Sequence, residues 1–286
     1  MIKIERQQLK KFSGFNLHSA LRPQPSLSEL FHENTKLTPL SSRAYGAWIG
    51  QIARSKALLR MMSQAYKVYS LMDQVEIEQT EPRTELERLI AARRSVRTYT
   101  GESMSREEMS RLLFYSYGRT DPRRQYRAVA SGGGLYPLEI YIVALRIEGL
   151  EPGIYHYAVE HHRLDVVERA VPFDTLERCV WFDDIQIREA AALCVITAIF
   201  QRSTLKYQDR GYRMVLMEAG EVAQNLALLA TSMGLGACLV GGFHDDVLSD
   251  ALGIDGCDEA PLLPIVLGRT PRAPMPLSVA IGNGTE

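Results

Sequence analysis

The chain has 286 residues, with 46% hydrophobic and 23% charged side chains and a formal net charge of −1. That length is enough to bury a sizeable core, as one large domain or a domain with an extension. The near-zero charge argues against a broad electrostatic grip on nucleic acid or on an anionic membrane.

The longest near-continuous apolar run, Ala190–Phe200, is too short to span a bilayer. The N-terminus lacks the basic-then-apolar order of a signal peptide, so a cytoplasmic protein is expected. Cys179, Cys194, Cys238 and Cys257 form no C-x-x-C pair and have no close histidines, which predicts neither a metal site nor a disulfide framework. They read as small buried hydrophobes.

Residues 1–80 read as an N-terminal extension ahead of a main domain spanning 81–286. From Ser41 or Ser42 to about Asp73 the apolar points Trp48, Ile52, Leu58, Leu59, Met62, Tyr66, Tyr69 and Met72 predict one or two amphipathic helices. Their expected role is to pack on the main domain; docking a partner protein or a peptide leader is the alternative. Pro82 marks the boundary. Thr84 with Glu87 is a capping box, and Leu86, Leu89 and Ile90 give the short helix that delivers Arg93, Arg94, Ser95 and Arg97 at its end. Arginine forks and a serine hydroxyl can bind a phosphate dianion. The plainer alternative is a basic, solvated helix end favoured by the macrodipole.

A second capping box, Ser105 with Glu108, opens a helix carrying Met109, Leu112, Leu113 and Tyr117, closed by Gly118. Beyond a polar loop, Ser131-Gly132-Gly133-Gly134 leads into a strand. Glycines there let backbone approach a flat ligand and can form an anion nest; a flexible turn is the alternative. Leu138–Leu145 is a buried strand, and Ile154–Tyr157 with Leu164–Val167 predict a hairpin turning at residues 160–162. Ala191–Phe200 is a further buried strand. It feeds a polar knot of Lys206, Tyr207, Asp209, Arg210, Tyr212 and Arg213, and a helix over Gly211–Met233 whose apolar residues suggest a core element buried all round. Arg213 is expected to pair with Glu218, Asp209 or Glu221 and fix the helix start. The G-x-G after this helix stands in the wrong order for a nicotinamide fingerprint, since it follows a helix and precedes a strand. Asp245 is expected to cap a short helix ended by Gly253, and Leu262–Leu267 to form the last strand.

The run K-Y-x-x-R-G-Y-R at Lys206–Arg213, followed by E-x-G and Q-N, resembles the SagB-type or McbC-like azoline dehydrogenases of the nitroreductase superfamily. R-R-S-V-R at Arg93–Arg97, the glycine loop after Arg127 and Phe31–Lys36 (F-H-E-N-T-K) resemble other segments of that family. Ala130 departs from it, standing where a proline is usual. The resemblance covers roughly residues 80–270. It implies an α+β fold, a mixed but mainly antiparallel sheet flanked by helices, assembled as a homodimer. It also implies FMN held by Arg93, Arg94, Ser95 and Arg97, by Ser131, Gly132 and Gly133, by Val240, Gly241 and Gly242 against the ring, and by Arg269. The implied reaction removes two hydrogens from a thiazoline or oxazoline of a precursor peptide, alongside cyclodehydratase partner proteins. Lys206 would be the base and Tyr207 its orienting or relaying neighbour, with Arg210 and Arg213 crowding a partly dry cleft. A general nitroreductase or quinone reductase, and a flavin-holding scaffold subunit, are the alternatives.

Overall fold

A computed structural model describes residues 25–63, 66–78, 80–121, 123–170, 173–180 and 184–271. The tail beyond residue 271 and the first 24 residues lie outside the described residues. In chain order the N-terminal part holds α1 (Leu27–Thr35), α2 (Ser41–Arg54) and α3 (Lys56–Ser63). The main body continues with α4 (Glu85–Ala92), α5 (Arg106–Tyr117), the short strands β1 (Arg119–Asp121) and β2 (Tyr126–Arg127), then β3 (Leu138–Ala144), β4 (Gly153–Ala158) and β5 (Arg163–Glu168). There follow α6 (Phe173–Cys179), β6 (Ala192–Ile199), α7 (Gln201–Tyr207), α8 (Asp209–Ser232), β7 (Leu235–Leu239), α9 (Asp245–Leu252) and β8 (Glu259–Arg269).

Six strands form one sheet in the order β5-β4-β3-β6-β8-β7, antiparallel at every pairing. Parallel contact enters at its edge, where Ser95 bridges Ala237 of β7. Helices cover both faces, so the α+β expectation holds. Strand alternation divides the core. Ile140, Ile142, Cys194 and Ile196 face α5 and α8, whereas Tyr141, Val143, Leu193 and Val195 face α6 and α9. β6 is buried at every position, as a strand covered on both faces must be.

Both expected capping boxes are present, at Thr84/Glu87 and Ser105/Glu108, with each serine or threonine and glutamate bonded reciprocally. Four expectations are corrected. First, α8 buries one stripe, including Val215, Ala219, Val222, Ala223, Leu226 and Ala230, but exposes Leu216 and Met217 on its other side. Second, β8 begins before Leu262. A register shift opposite Ile196 and Thr197 absorbs the missing donor of Pro261, and Pro264 still offers its carbonyl to Val240 N at 2.9 Å. Third, α9 is preceded by His244, and Asp245 instead accepts a bond from Leu37 N at 2.8 Å. Fourth, α2 and α3 do not pack on the main domain through their apolar points: Trp48, Leu58, Leu59 and Met62 are exposed, and residues 66–73 are not helical. Cys179, Cys194 and Cys238 are buried, but Cys257 is exposed.

Candidate active site

The polar knot is two helices meeting at a break. Gln208 adopts φ 50°, ending α7 and starting α8. Gly211 allows the crossing: a Cβ there would stand 2.9 Å from the backbone carbonyl of Ser203. α7 thereby presents Lys206 and Tyr207 at its end, the ammonium 5.1 Å from the Tyr207 ring centroid.

The glycine loop comes to meet them. Gly132–Gly134 form one 3-10 turn in which Gly133 has φ 70°. A Cβ on Gly133 would stand 2.8 Å from Lys206 Nζ and would collide with Tyr207 Oη as well. One on Gly132 would meet Met214 Sδ of α8 at 3.0 Å. Proline is absent at Ala130, but the loop is tied down all the same. Tyr136 N donates to Ser131 Oγ at 2.8 Å, and Arg127 N donates to Tyr136 Oη at 3.2 Å.

Below the loop lies a polar group that sequence reasoning did not assign. Tyr117 Oη accepts from Leu138 N and donates to Glu218 Oε1, both at 3.2 Å. The Arg127 guanidinium sits between the rings of Tyr117 and Tyr136, 4.6 and 4.7 Å from their centroids. Glu218 is 3% exposed. Burial pushes its carboxyl up to about 7, against the bonds from Ser131 and Tyr117 and the charge of Arg127. Glu218 thus supports the loop, and Asp209 accepts from Ser28. The E-x-G spacing was the only signal for Glu218, and it says nothing about which way the carboxyl points.

A second network ties α7 to the sheet. Glu139 accepts from Arg202 and lies 2.8 Å from His156 Nε2. Burial opposes its charge, but His156 and Arg202 outweigh that and hold Glu139 below the usual carboxylate range. Tyr155 and Tyr157 are buried packing residues, as the plainer reading of that strand expects.

The remaining site candidates gather at the β7 edge. Arg94 turns back to the carbonyls of Ala91 and Arg93 at 2.7 and 2.8 Å, capping α4. Val96 N donates to Ala237 O, which lays the Ser95 segment beside β7. Arg97 pairs with Asp184 at 3.3 Å. Val240 is buried and continues β7; Gly241 follows it, exposed, with no atom within 4 Å of where a Cβ would be. Gly242 lies next in the chain and is buried. Arg269, at the end of β8, spends its guanidinium on Glu108 at 2.8 Å and on Ser103 O.

The candidates therefore form two groups. Ser131, Gly132, Gly133, Lys206 and Tyr207 assemble where β3 begins; Arg93, Arg94, Ser95, Arg97, Val240, Gly241 and Gly242 gather beside β7. β6 and β8 stand between β3 and β7, a separation of about 14 Å at ~4.8 Å per strand. Lys206, Arg210 and Arg213 are exposed, so one chain alone makes no dry cleft over the pair.

α1 was the element least anticipated at the site. Ser28 donates to Asp209 Oδ1 through both its N–H and its hydroxyl, at 3.0 and 2.8 Å. His32 Nδ1 lies 3.2 Å from Tyr212 Oη, and Phe200 stacks on Tyr212 at 5.3 Å. The F-H-E-N-T-K segment was the available signal; its docking partner was not legible.

This fold belongs to a known class. The Nitroreductase family matches residues 90–269, and the chain belongs to that family. Within it the chain is similar to MJ1384 of Methanocaldococcus jannaschii, a nitroreductase by name, with 39% identity over 64% of this chain and 90% of that protein. It is also similar to the microcin B17-processing protein McbC of Escherichia coli, 29% identical over 56% of this chain and 60% of McbC. The trifolitoxin-processing protein TfxB of Rhizobium leguminosarum is 28% identical over 58% of this chain, which spans 48% of TfxB. Among solved structures, the E. coli microcin synthetase McbBCD complex with truncated pro-MccB17 shares the fold at TM-score 0.64 and 22% identity, covering 87% of this chain and 99% of that one. Among the described residues no helix is long and apolar enough to cross a membrane.

Proposed function

We propose that this chain is an FMN-dependent dehydrogenase that converts thiazolines or oxazolines in a ribosomally made peptide into thiazoles or oxazoles. The contact of Gly133 with Lys206 and Tyr207 carries the reading. It seats an amine and a phenol directly against the glycine turn. The similarity to McbC and TfxB, both processing proteins of peptide toxins by name, supports the substrate class.

The residues fit a flavin, which family members typically bind. The open face at Gly241 accommodates a planar ring with no side chain in the way. Arg93, Arg94, Arg97 and Ser95 offer guanidinium forks and a hydroxyl to a phosphate dianion. When bound, FMN supplies the two-electron acceptor. Lys206 takes the ring proton of the azoline, and Tyr207 orients the lysine or relays the proton. Because the two groups of site residues stand apart in one chain, the working site draws the glycine loop and Lys206 from one protomer and the arginine–serine segment from the other. The chain acts as a homodimer. A partner protein of cyclodehydratase type fits the exposed apolar faces of α2 and α3.

The absorption spectrum of the purified protein, with the released cofactor weighed, is the first test. FMN near one per chain and oxidation of an azoline peptide are expected. A colourless protein that takes up no flavin would remove the redox reading. Fast flavin reduction by a nicotinamide donor, with azoline peptides inert, would instead favour a general reductase, the activity named for MJ1384.

A further inference from the structure

Lys206 and Tyr207 face a turn whose exit is strained. Tyr136, just beyond the glycines, holds φ 46°, a left-handed conformation that is costly for a residue with a side chain. Such a residue persists only where its surroundings fix it, and all three polar groups of Tyr136 are bound. Its N–H donates to Ser131 Oγ at 2.8 Å, and its Oη accepts from Arg127 N at 3.2 Å. Those two bonds are made within the loop. The third comes from α7: the Tyr136 carbonyl accepts from Arg202 Nη1 at 3.3 Å.

Arg202 is placed to join two parts of the site. It stands four residues before Lys206, on the same side of α7. The same Nη1 also donates to Glu139 Oε1 at 2.5 Å, near the start of β3. Glu139 has a second cationic partner, because its Oε2 lies 2.8 Å from His156 Nε2. Burial disfavours a charged His156, but the bond to Glu139 outweighs it and holds the imidazole above its ordinary range. What Arg202 adds is therefore reach rather than charge alone. One nitrogen pins the exit of the glycine turn, the sheet and the helix of Lys206 at a single point. The fit it holds is close, since a Cβ on Gly133 would already stand 2.8 Å from Lys206 Nζ.

We propose that Arg202 is a positioning residue for the Lys206–Tyr207 pair, holding α7 in register with the glycine turn through the Tyr136 carbonyl and Glu139. The role of the pair rests on the dehydrogenase reading above; the coupling of helix to turn does not. Misplacing a reacting group by about 1 Å can cost on the order of a hundredfold in rate, so a residue that touches no substrate can still govern the reaction.

The test combines hydrogen exchange with anaerobic reduction of the flavin-loaded protein by an azoline peptide, in Arg202→Met and Arg202→Lys of the full chain. Methionine keeps an apolar stem without a donor, and His156 still pairs Glu139, so no bare buried carboxylate is left. Arg202→Met should speed exchange at the amides of Gly134 and Tyr136, both held by Ser131, at least about tenfold, with β6 unchanged. It should keep its flavin and lower the limiting rate of flavin reduction at least about 30-fold, while the peptide concentration at half that rate moves less than about threefold. Because one nitrogen makes both bonds, a lysine ammonium can replace part of them, and Arg202→Lys should recover at least about tenfold of the lost rate, with intermediate exchange at the two amides. Should Arg202→Met unfold, exchange in β6 reveals it and Arg202→Lys decides alone. The proposal is overturned if exchange at Gly134 and Tyr136 is unchanged, if the folded Arg202→Met is reduced at the wild-type rate, or if lysine serves no better than methionine. A wild type that the peptide never reduces would sink the dehydrogenase reading instead, and the exchange result would still decide whether Arg202 holds the turn.

Discussion

Gly133 lies so close to Lys206 that a Cβ on the glycine would stand 2.8 Å from Lys206 Nζ, and the lysine would have to shift to admit it. The glycine also holds φ 70°, a left-handed conformation. Gly133→Ala should therefore displace the lysine–tyrosine pair and strain the turn. The expected outcome is at least a hundredfold loss of azoline oxidation, with a stability cost of about 1–3 kcal/mol by chemical denaturation. Activity within a few-fold of wild type would mean the contact does not matter to the reaction.

Glu218 should make stability depend on pH. Its carboxyl ionises near 4.5 ordinarily and at about 7 in the fold, where burial disfavours the charge. Between those values the folded chain holds more protons than the unfolded one, so this contribution is full below about 4.5 and is lost as pH rises through about 7. Glu218→Gln, neutral throughout, should flatten the fall in unfolding free energy across that window. An unchanged pH profile would show that Glu218 is not the group responsible.

Asp209 anchors α1 through two bonds from Ser28. Asp209→Ala should lower hydrogen-exchange protection in residues 27–35 about tenfold and leave β6 protected as before. Equal loss in both regions would indicate general unfolding rather than release of one helix.

What the sequence discloses here is what is local. The capping boxes at Thr84 and Ser105 were legible because cap and partner lie three residues apart. The hairpin of β4 and β5 and the buried run of β6 were legible from strand periodicity. The start of β8 was not, because the bulge that tolerates Pro261 is made with β6, far away in the chain. Nor was the break at Gln208, whose backbone is set by how α7 packs on α8. The site residues were named from a resemblance, but their division into two groups depends on the strand order, and no local pattern carries that. The cradle of Tyr117, Arg127 and Glu218 escaped for the same reason, being assembled from three separate elements.

The most direct test of the account is flavin bleaching in a single turnover, on mixing the flavin-loaded protein with an azoline peptide in the absence of oxygen. The wild type should bleach as azole forms. Lys206→Ala should retain its flavin and bleach at least a hundredfold more slowly, as loss of a general base requires. Bleaching of Lys206→Ala at the wild-type rate would contradict the role given to the lysine, and a wild type that holds FMN but is never reduced by the peptide would contradict the reaction itself.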